Sequence, residues 1–345
     1  MTELVFVVPG RLDQVTGGYL YDRNIIEGLR ARGRVFRIIE LAPVVDAAEF
    51  AALPDGTTMI IDGLALPSLA EVIAAEARRL RLIALIHGPV AQEAGLSPAA
   101  VERAGAIEAA LLSRMRGVLC PSRSTAAAIV CYGIIVDRIA VVPPGTRKPQ
   151  PPVLPRQRPV RALLCVANLL PRKGHGVLVE ALAQIRDLEW TLLSVGSVER
   201  DAATAREVRR MISSAGLDGR ITLAGEQPPE AVGDAYRAAD LFVLPSFHEG
   251  YGMVYAEAMA HSLPIIATTA GAIPETVPRE AGLLVPPGDP VALAQALRRL
   301  IGEPALCARL AAGSQAAGLR LPDWPEAARQ WENALNRLAV RDPPF

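Results

Sequence analysis

At 345 residues the chain is about twice a comfortable single-domain length, so two domains of similar size are expected. Hydrophobic residues at 51% against 21% charged exclude intrinsic disorder, and 36 Lys+Arg balanced by 36 Asp+Glu leave no net field to draw the chain to nucleic acid. Any phosphate site must therefore be local. Only Lys148 and Lys173 among the cations are lysine, so a lysine in a glycine-flanked loop stands out. Cys120, Cys131, Cys165 and Cys307 are widely spaced and form no C-x-x-C pair, which fits a reducing cytoplasm. Met1-Thr2-Glu3 lacks the basic region of a leader, and no apolar run approaches the roughly 18 residues of a membrane helix, so a cytoplasmic protein is expected.

Short apolar runs at 4–8, 35–39, 58–61, 82–86, 117–120 and 139–142 read as strands, with helical spacing at 19–32, 70–79 and 98–115 between them. That alternation predicts a parallel sheet covered on both faces. The proline-rich stretch 143–159 then reads as a stiff linker. Beyond it the alternation restarts: strands at 161–167, 190–195, 221–224, 241–245, 264–267 and 282–285, helices at 177–186, 199–215, 229–238, 253–261 and 290–301. Residues 323–340 carry Trp324, Trp331, Leu335 and Leu338 at near-helical spacing and predict a last helix with one apolar face. The expected organisation is a first doubly wound domain over 1–150, a second over 151–322, and a C-terminal helix over 323–345 returning towards the first.

Three constellations could carry chemistry. Gly17 and Gly18, between the first strand and the first helix, let backbone amides approach a ligand at a helix N-terminus; a tight structural turn accounts for them about equally well. The sequence is not G-x-G-x-x-G, so the dinucleotide fingerprint is absent. Arg172 and Lys173, followed by Gly174 and a helix start, suit a diphosphate, against a merely solvated basic turn; the spacing is not that of a P-loop. Glu249 stands in a glycine-rich turn after a strand, with Gly250 and Gly252, and Glu257 lies inside the helix that begins at Met253 and Val254. Both carboxylates are suited to accept from hydroxyls, and Glu257, set among small and apolar neighbours, requires a partner. The plain alternative is an exposed loop glutamate and an exposed helix glutamate.

The block from Glu249 to Glu257 resembles the Glu-x7-Glu motif of family-4 retaining glycosyltransferases of the GT-B fold. The flanking segments 240–246, 271–275 and 282–289 resemble that family as well, as do Gly17-Gly18, His87 and Pro121-Ser122 in the first half. The resemblance implies an α/β protein of two Rossmann-like doubly wound domains facing each other across a cleft. It implies that Glu249 contacts hydroxyls of the transferred sugar, that Glu257 holds the ribose hydroxyls, and that Lys173 meets the diphosphate. His87 would lie near the donor sugar, with Gly17-Gly18 closing over phosphates and acceptor. Asn168 stands where the family usually has an arginine, leaving open whether Arg172 replaces that cation.

The expected activity is a retaining hexosyltransferase that takes a nucleoside-diphosphate sugar and an unidentified sugar, lipid-linked or small-molecule hydroxyl acceptor. Lys173, Arg172 and the amides near Gly252, Met253 and Val254 would meet the charge that develops on the leaving diphosphate. No D-x-D occurs, so metal independence is expected, with no cofactor beyond the sugar nucleotide. The alternatives are a sugar-nucleotide epimerase, a phosphorylase whose cofactor lysine would have to be Lys148, and a non-catalytic sugar-nucleotide-binding protein. The arginines Arg30, Arg32, Arg34, Arg37, Arg114 and Arg116 suggest weak peripheral contact with the inner face of an anionic membrane, against solvated charge at helix ends. His175 and His248, in motif loops, read as solvated, and His261 as structural.

Overall fold

The computed structural model describes residues 4–92, 97–156 and 158–341; the Met1-Thr2-Glu3 start lies outside them. The chain divides into two compact units, Met1–Gly145 with Pro322–Phe345, and Thr146–Leu321.

In the first unit β1 (Leu4–Val8), α1 (Gly17–Ala31), β2 (Phe36–Glu40), α2 (Ala47–Ala51), β3 (Thr58–Asp62), α3 (Ala70–Glu76), β4 (Arg81–Leu85), α4 (Pro98–Leu112), β5 (Gly117–Cys120), α5 (Arg123–Val130) and β6 (Ile139–Val141) follow one another. The strands pair in the order β2-β1-β3-β4-β5-β6, all parallel. Every residue of β1 and β3 is buried, because a parallel sheet has helices over both faces and its central strands must be apolar throughout. Thr16 caps α1 by accepting from the Tyr19 amide, and the helix buries Tyr21, Ile25, Ile26 and Leu29. Asp22 falls on that same buried face.

The second unit contains β7 (Ala162–Val166), α6 (His175–Ala183), β8 (Thr191–Val195), α7 (Ala202–Ser214), β9 (Ile221–Leu223), α8 (Pro229–Ala238), β10 (Leu241–Val243), α9 (Met253–Ala260), β11 (Ile265–Thr268), α10 (Ile273–Thr276), β12 (Gly282–Val285), α11 (Pro290–Gly302) and α12 (Pro304–Arg320). Its parallel order is β12-β11-β10-β7-β8-β9, the six-strand arrangement of dinucleotide-binding sheets. The order reverses between β7 and β10, and in the first unit it reverses between β1 and β3. In open α/β sheets ligands bind beyond the carboxyl ends of the strands at such reversals, since the connecting helices there leave to opposite faces and open a crevice.

Sequence reasoning missed α12. Its stretch is rich in alanine and glycine, which blunts the apolar stripe. The small residues serve close packing: a Cβ on Gly318 would lie 2.5 Å from the Met259 carbonyl oxygen, and one on Gly313 only 1.8 Å from that of Glu280. The last helix, α13 (Trp324–Ala339), is capped by Asp323 and belongs to the first unit, burying Trp331, Leu335 and Leu338. It lies against α1, where a Cβ on Gly28 would meet the Ala328 methyl at 2.6 Å.

The proline-rich stretch is not a free linker. Asp240 accepts from Arg158 Nε at 2.5 Å and from the amides of Arg161 and Ala162 at 3.1 and 2.9 Å, and Ser262 donates to the Val153 carbonyl at 2.7 Å. These bonds sew the stretch onto the second unit, whose boundary falls after Gly145. Part of the arginine cluster is likewise engaged, Arg32 and Arg34 both pairing with Glu332 at 2.7 Å and Arg37 with Glu49 at 2.7 Å. Among the described residues no helix is long and apolar enough to cross a membrane.

Candidate functional site

The reversal between β7 and β10 brings two loops together in the second unit. The loop after β7 ends in a short 3-10 turn, Pro171–Lys173, and passes into α6 through Gly174 at φ +70°, where a Cβ would sit 2.2 Å from the Pro245 carbonyl oxygen. Only glycine combines that left-handed conformation with so close an approach. The loop after β10 carries Ser246 to Gly252. The Phe247 amide donates to the Arg172 carbonyl at 2.7 Å, so the two loops are joined by backbone.

Lys173 Nζ donates to Glu249 Oε1 at 2.6 Å, Ser246 Oγ donates to the same oxygen at 2.7 Å, and Arg172 Nη1 stands 3.6 Å from Oε2. The Lys173 and Glu249 side chains keep only 13% and 8% exposure, so water screens the pair little. Burial pushes the Glu249 carboxyl up, but Lys173 and Arg172 outweigh it and hold the group below the usual carboxylate range. For Lys173 burial prevails over Glu249 and the ammonium is lowered, with Arg172 adding to the depression. The two directions differ because Glu249 faces two cations while Lys173 faces one anion and one cation. Glu249 is thus a carboxylate held by two cations. Asn168 Oδ1 accepts from the Ser197 amide at 2.8 Å, tying the loops after β7 and β8 together.

Past Glu249 the chain turns through half-buried Gly250 and Gly252 into α9. Gly252 is at φ +85°, and α9 has no side-chain cap, which leaves the first-turn amides at Met253 and Val254 suited to an anion. Gly271 holds the turn from below, where a Cβ would lie 2.5 Å from the Glu249 carbonyl oxygen. Glu257 has the partner its setting requires: Tyr236 Oη donates to Oε2 at 2.9 Å. Burial raises the Glu257 carboxyl, and Tyr236 and then Arg147 pull it part of the way back. The sequence reading did not find Tyr236 or Ser246; each could have been sought as the donor a buried glutamate demands.

Gly17, Gly18 and His87 are in the first unit, at its own strand reversal. Gly17 is exposed at the start of α1, and a Cβ on Gly18 would lie 3.2 Å from the His87 ring. His87 Nε2 is 3.0 Å from Asp22 Oδ1 and 3.4 Å from Asp62 Oδ2, and Tyr21 packs edge-on to the ring at 5.3 Å. Burial lowers the imidazole, but the two carboxylates outweigh it and raise its pKa to about 10. Burial, aided by Asp62 against His87, raises the Asp22 carboxyl to about 6. The donor atoms of Asp22, Asp62 and His87 lie within 4.8 Å of one another, close enough for a metal ion, yet the 3.0 Å approach of nitrogen to oxygen is that of a charge-assisted hydrogen bond. The sequence reading found neither aspartate; Asp22 could have been sought as a carboxylate on the apolar face of α1, whereas Asp62, ending an apolar strand, carried no such signal.

The other histidines divide. His175 is buried, its Nε2 3.7 Å from Cys165 Sγ, and burial lowers its pKa to about 4, so it is not the solvated loop residue expected. His248 is half-buried with its ring beside Gly271, again not merely solvated. His261 stacks on Tyr236 at 5.0 Å and its Nδ1 lies 2.8 Å from the Glu257 carbonyl oxygen, a structural role.

Residues 160–303 match the family model described as glycosyl transferases group 1. A D-inositol 3-phosphate glycosyltransferase of Xylanimonas cellulosilytica is 32% identical over 230 residues, 61% of this chain and 54% of the relative, so the chain spans about half the length of that protein. Sucrose-phosphate synthase from Thermosynechococcus elongatus superposes with a TM-score of 0.83 at 24% identity, covering 98% of this chain and 99% of that one. Anabaena HepE in complex with UDP-glucose does so with a TM-score of 0.80 at 19% identity, over 97% of this chain and 100% of the other. These likenesses show the fold: two Rossmann-like α/β units of the GT-B class. Residues 160–303, which hold Lys173, Glu249 and Glu257, are the part of the chain that matches the glycosyl transferases group 1 family.

Proposed function

We propose that the protein is a glycosyltransferase that moves a hexose from a nucleoside-diphosphate sugar to a hydroxyl acceptor, with retention at the anomeric carbon and without a metal ion. The observation that carries this reading is the buried Glu249 held by Lys173 and Arg172 at the strand reversal of the second unit. A diphosphate entering there competes with Glu249 for the two cations. Once it takes Lys173, Glu249 is free to accept from sugar hydroxyls, and Glu257 from the ribose diol. As the bond from the anomeric carbon to the diphosphate oxygen breaks, negative charge grows on the leaving group. Lys173, Arg172 and the α9 amides are worth more to that state than to the ground state. The acceptor oxygen forms its bond on the face the diphosphate leaves, and its proton passes to the departing phosphate. His87, Gly17 and Gly18 serve substrate binding at the first unit's own strand reversal. The surroundings are those of a cytoplasmic enzyme, with weak membrane contact through the arginine group around Arg30 and Arg114.

The names of the relatives support a sugar-nucleotide donor, and the UDP-glucose held by HepE makes a uridine donor the first to try. A thermal-shift screen of sugar nucleotides tests the reading, since a ligand at 100 times its Kd stabilises by about 2.7 kcal/mol. Transfer or donor hydrolysis that persists in EDTA and collapses in Glu249→Ala is the expected result. No shift with any sugar nucleotide refutes the reading, and a shift without turnover assigns a binding protein instead.

A further inference from the structure

The first unit carries a cluster of one histidine and two aspartates that the glycosyl-transfer reading uses only through His87. Its three members come from different elements: Asp22 from the buried face of α1, Asp62 from the last position of β3, and His87 from the loop after β4. All three stand at the carboxyl ends of the strands beside the reversal between β1 and β3, where a ligand crevice is expected. Asp22 is fully buried, and its Oδ2 has no hydrogen-bond partner among the described residues. A buried carboxylate oxygen left unsatisfied is costly, and such a cost persists where the group has a task beyond stability. Both contacts to His87 fall on Nε2, so the Nδ1 edge takes no bond from the protein among the described residues, and the side chain keeps 24% exposure.

We propose that Asp22 and Asp62 are positioning residues for His87, clamping Nε2 so that the ring stands as an imidazolium with its Nδ1–H offered to the anionic substrate of the proposed transfer. The groups facing the ring are Asp22 and Tyr21 from α1 and Asp62 from β3, with Cys120 of β5 bearing on Tyr21 in turn. Among the described residues no lysine or arginine is paired with either carboxylate, and His87 is the cationic group that faces both. Gly18 is required beside it, because a side chain there would press on the ring. The kinetic arm of the test rests on the glycosyl-transfer reading; the titration arm does not.

The experiment is a proton NMR titration of His87 in the full chain, assigned by its loss in His87→Gln, together with pH profiles of kcat for the unaltered chain, Asp22→Asn and Asp62→Asn. Asn at 62 retains an oxygen for the Leu64 amide, so this variant covers the case in which Asp22→Asn fails to fold. The expected result is a ring that stays protonated past about pH 9 in the unaltered chain and titrates lower by about two pH units or more in each variant. Turnover in the variants then falls about tenfold or more as the pH rises from about 6 to about 9, with donor KM little changed, while the unaltered chain holds its rate. A ring that titrates at its ordinary value in the unaltered chain, or unmoved in both variants, overturns the clamp. So does a loss of turnover equal at both pH values, which is the mark of a merely structural role. Absence of turnover in the unaltered chain refutes the transfer reading instead, and the titration then decides the clamp by itself.

Discussion

Lys173→Met removes one partner from the buried pair with Glu249. With the two side chains at 13% and 8% exposure and 2.6 Å between charged atoms, the carboxylate left behind is little hydrated. Breaking such a pair costs about 3–5 kcal/mol, most of it the penalty of the uncompensated charge. Ser246 Oγ at 2.7 Å and Arg172 at 3.6 Å remain, which places the expected loss near the lower end, about 3 kcal/mol. The pH dependence follows from Glu249. In the intact chain its carboxyl lies below the usual range, so its ionisation stabilises the fold above the unfolded value and that contribution fades as pH falls through the folded value. Without Lys173, burial pushes the carboxyl up, and acid then relieves the variant by neutralising it. The deficit is therefore larger at about pH 8 than at about pH 5. Lys173→Met/Glu249→Gln should recover most of it, since an uncharged pair of similar volume is often no worse than the ion pair. Urea unfolding followed by circular dichroism at the two pH values is the assay. A loss below about 1 kcal/mol that is the same at both, with no recovery in the double variant, refutes the reasoning.

Gly174→Ala should lower the stability of the second unit by at least about 3 kcal/mol, because its φ of +70° is strained for alanine and its methyl would meet the Pro245 carbonyl oxygen; thermal unfolding reads this directly. Glu257→Ala should weaken sugar-nucleotide binding about tenfold or more while leaving the fold nearly as stable, since Tyr236 Oη keeps the Val254 carbonyl at 3.2 Å; unchanged affinity by calorimetry removes its ribose role. His87, raised to about 10, contributes stability that is fully present below its unfolded value and lost as pH rises through the folded one. The difference in unfolding free energy between the intact chain and His87→Gln should therefore shrink on that alkaline limb, and a difference that is flat with pH contradicts the ion triad.

The alternation of buried apolar runs with amphipathic stretches is a property of local sequence, and it made both parallel sheets legible; 117–120 and 282–285 coincide with β5 and β12. The glutamates at 249 and 257, the lysine at 173 and the paired glycines at 17 and 18 were readable for the same reason, being residues whose loop or helix setting follows from their immediate neighbours. The short helices α2, α5 and α10 escaped because so few residues leave no stripe to read, and the long α12 because its alanines and glycines blunt one; only packing against the backbone at Glu280 and Met259 makes its glycines sensible. Nothing local in the sequence says which strands lie side by side. Strand order is decided by how helices cross over the sheet. That order sets Lys173 against Glu249 from loops 76 residues apart, and His87 against an aspartate 65 residues earlier. The sequence by itself determined the fold class and which residues were available for chemistry. The tertiary structure alone decided which of them share a charge, because pairing across a sheet depends on distance in space and burial, and neither is encoded at any one position of the chain.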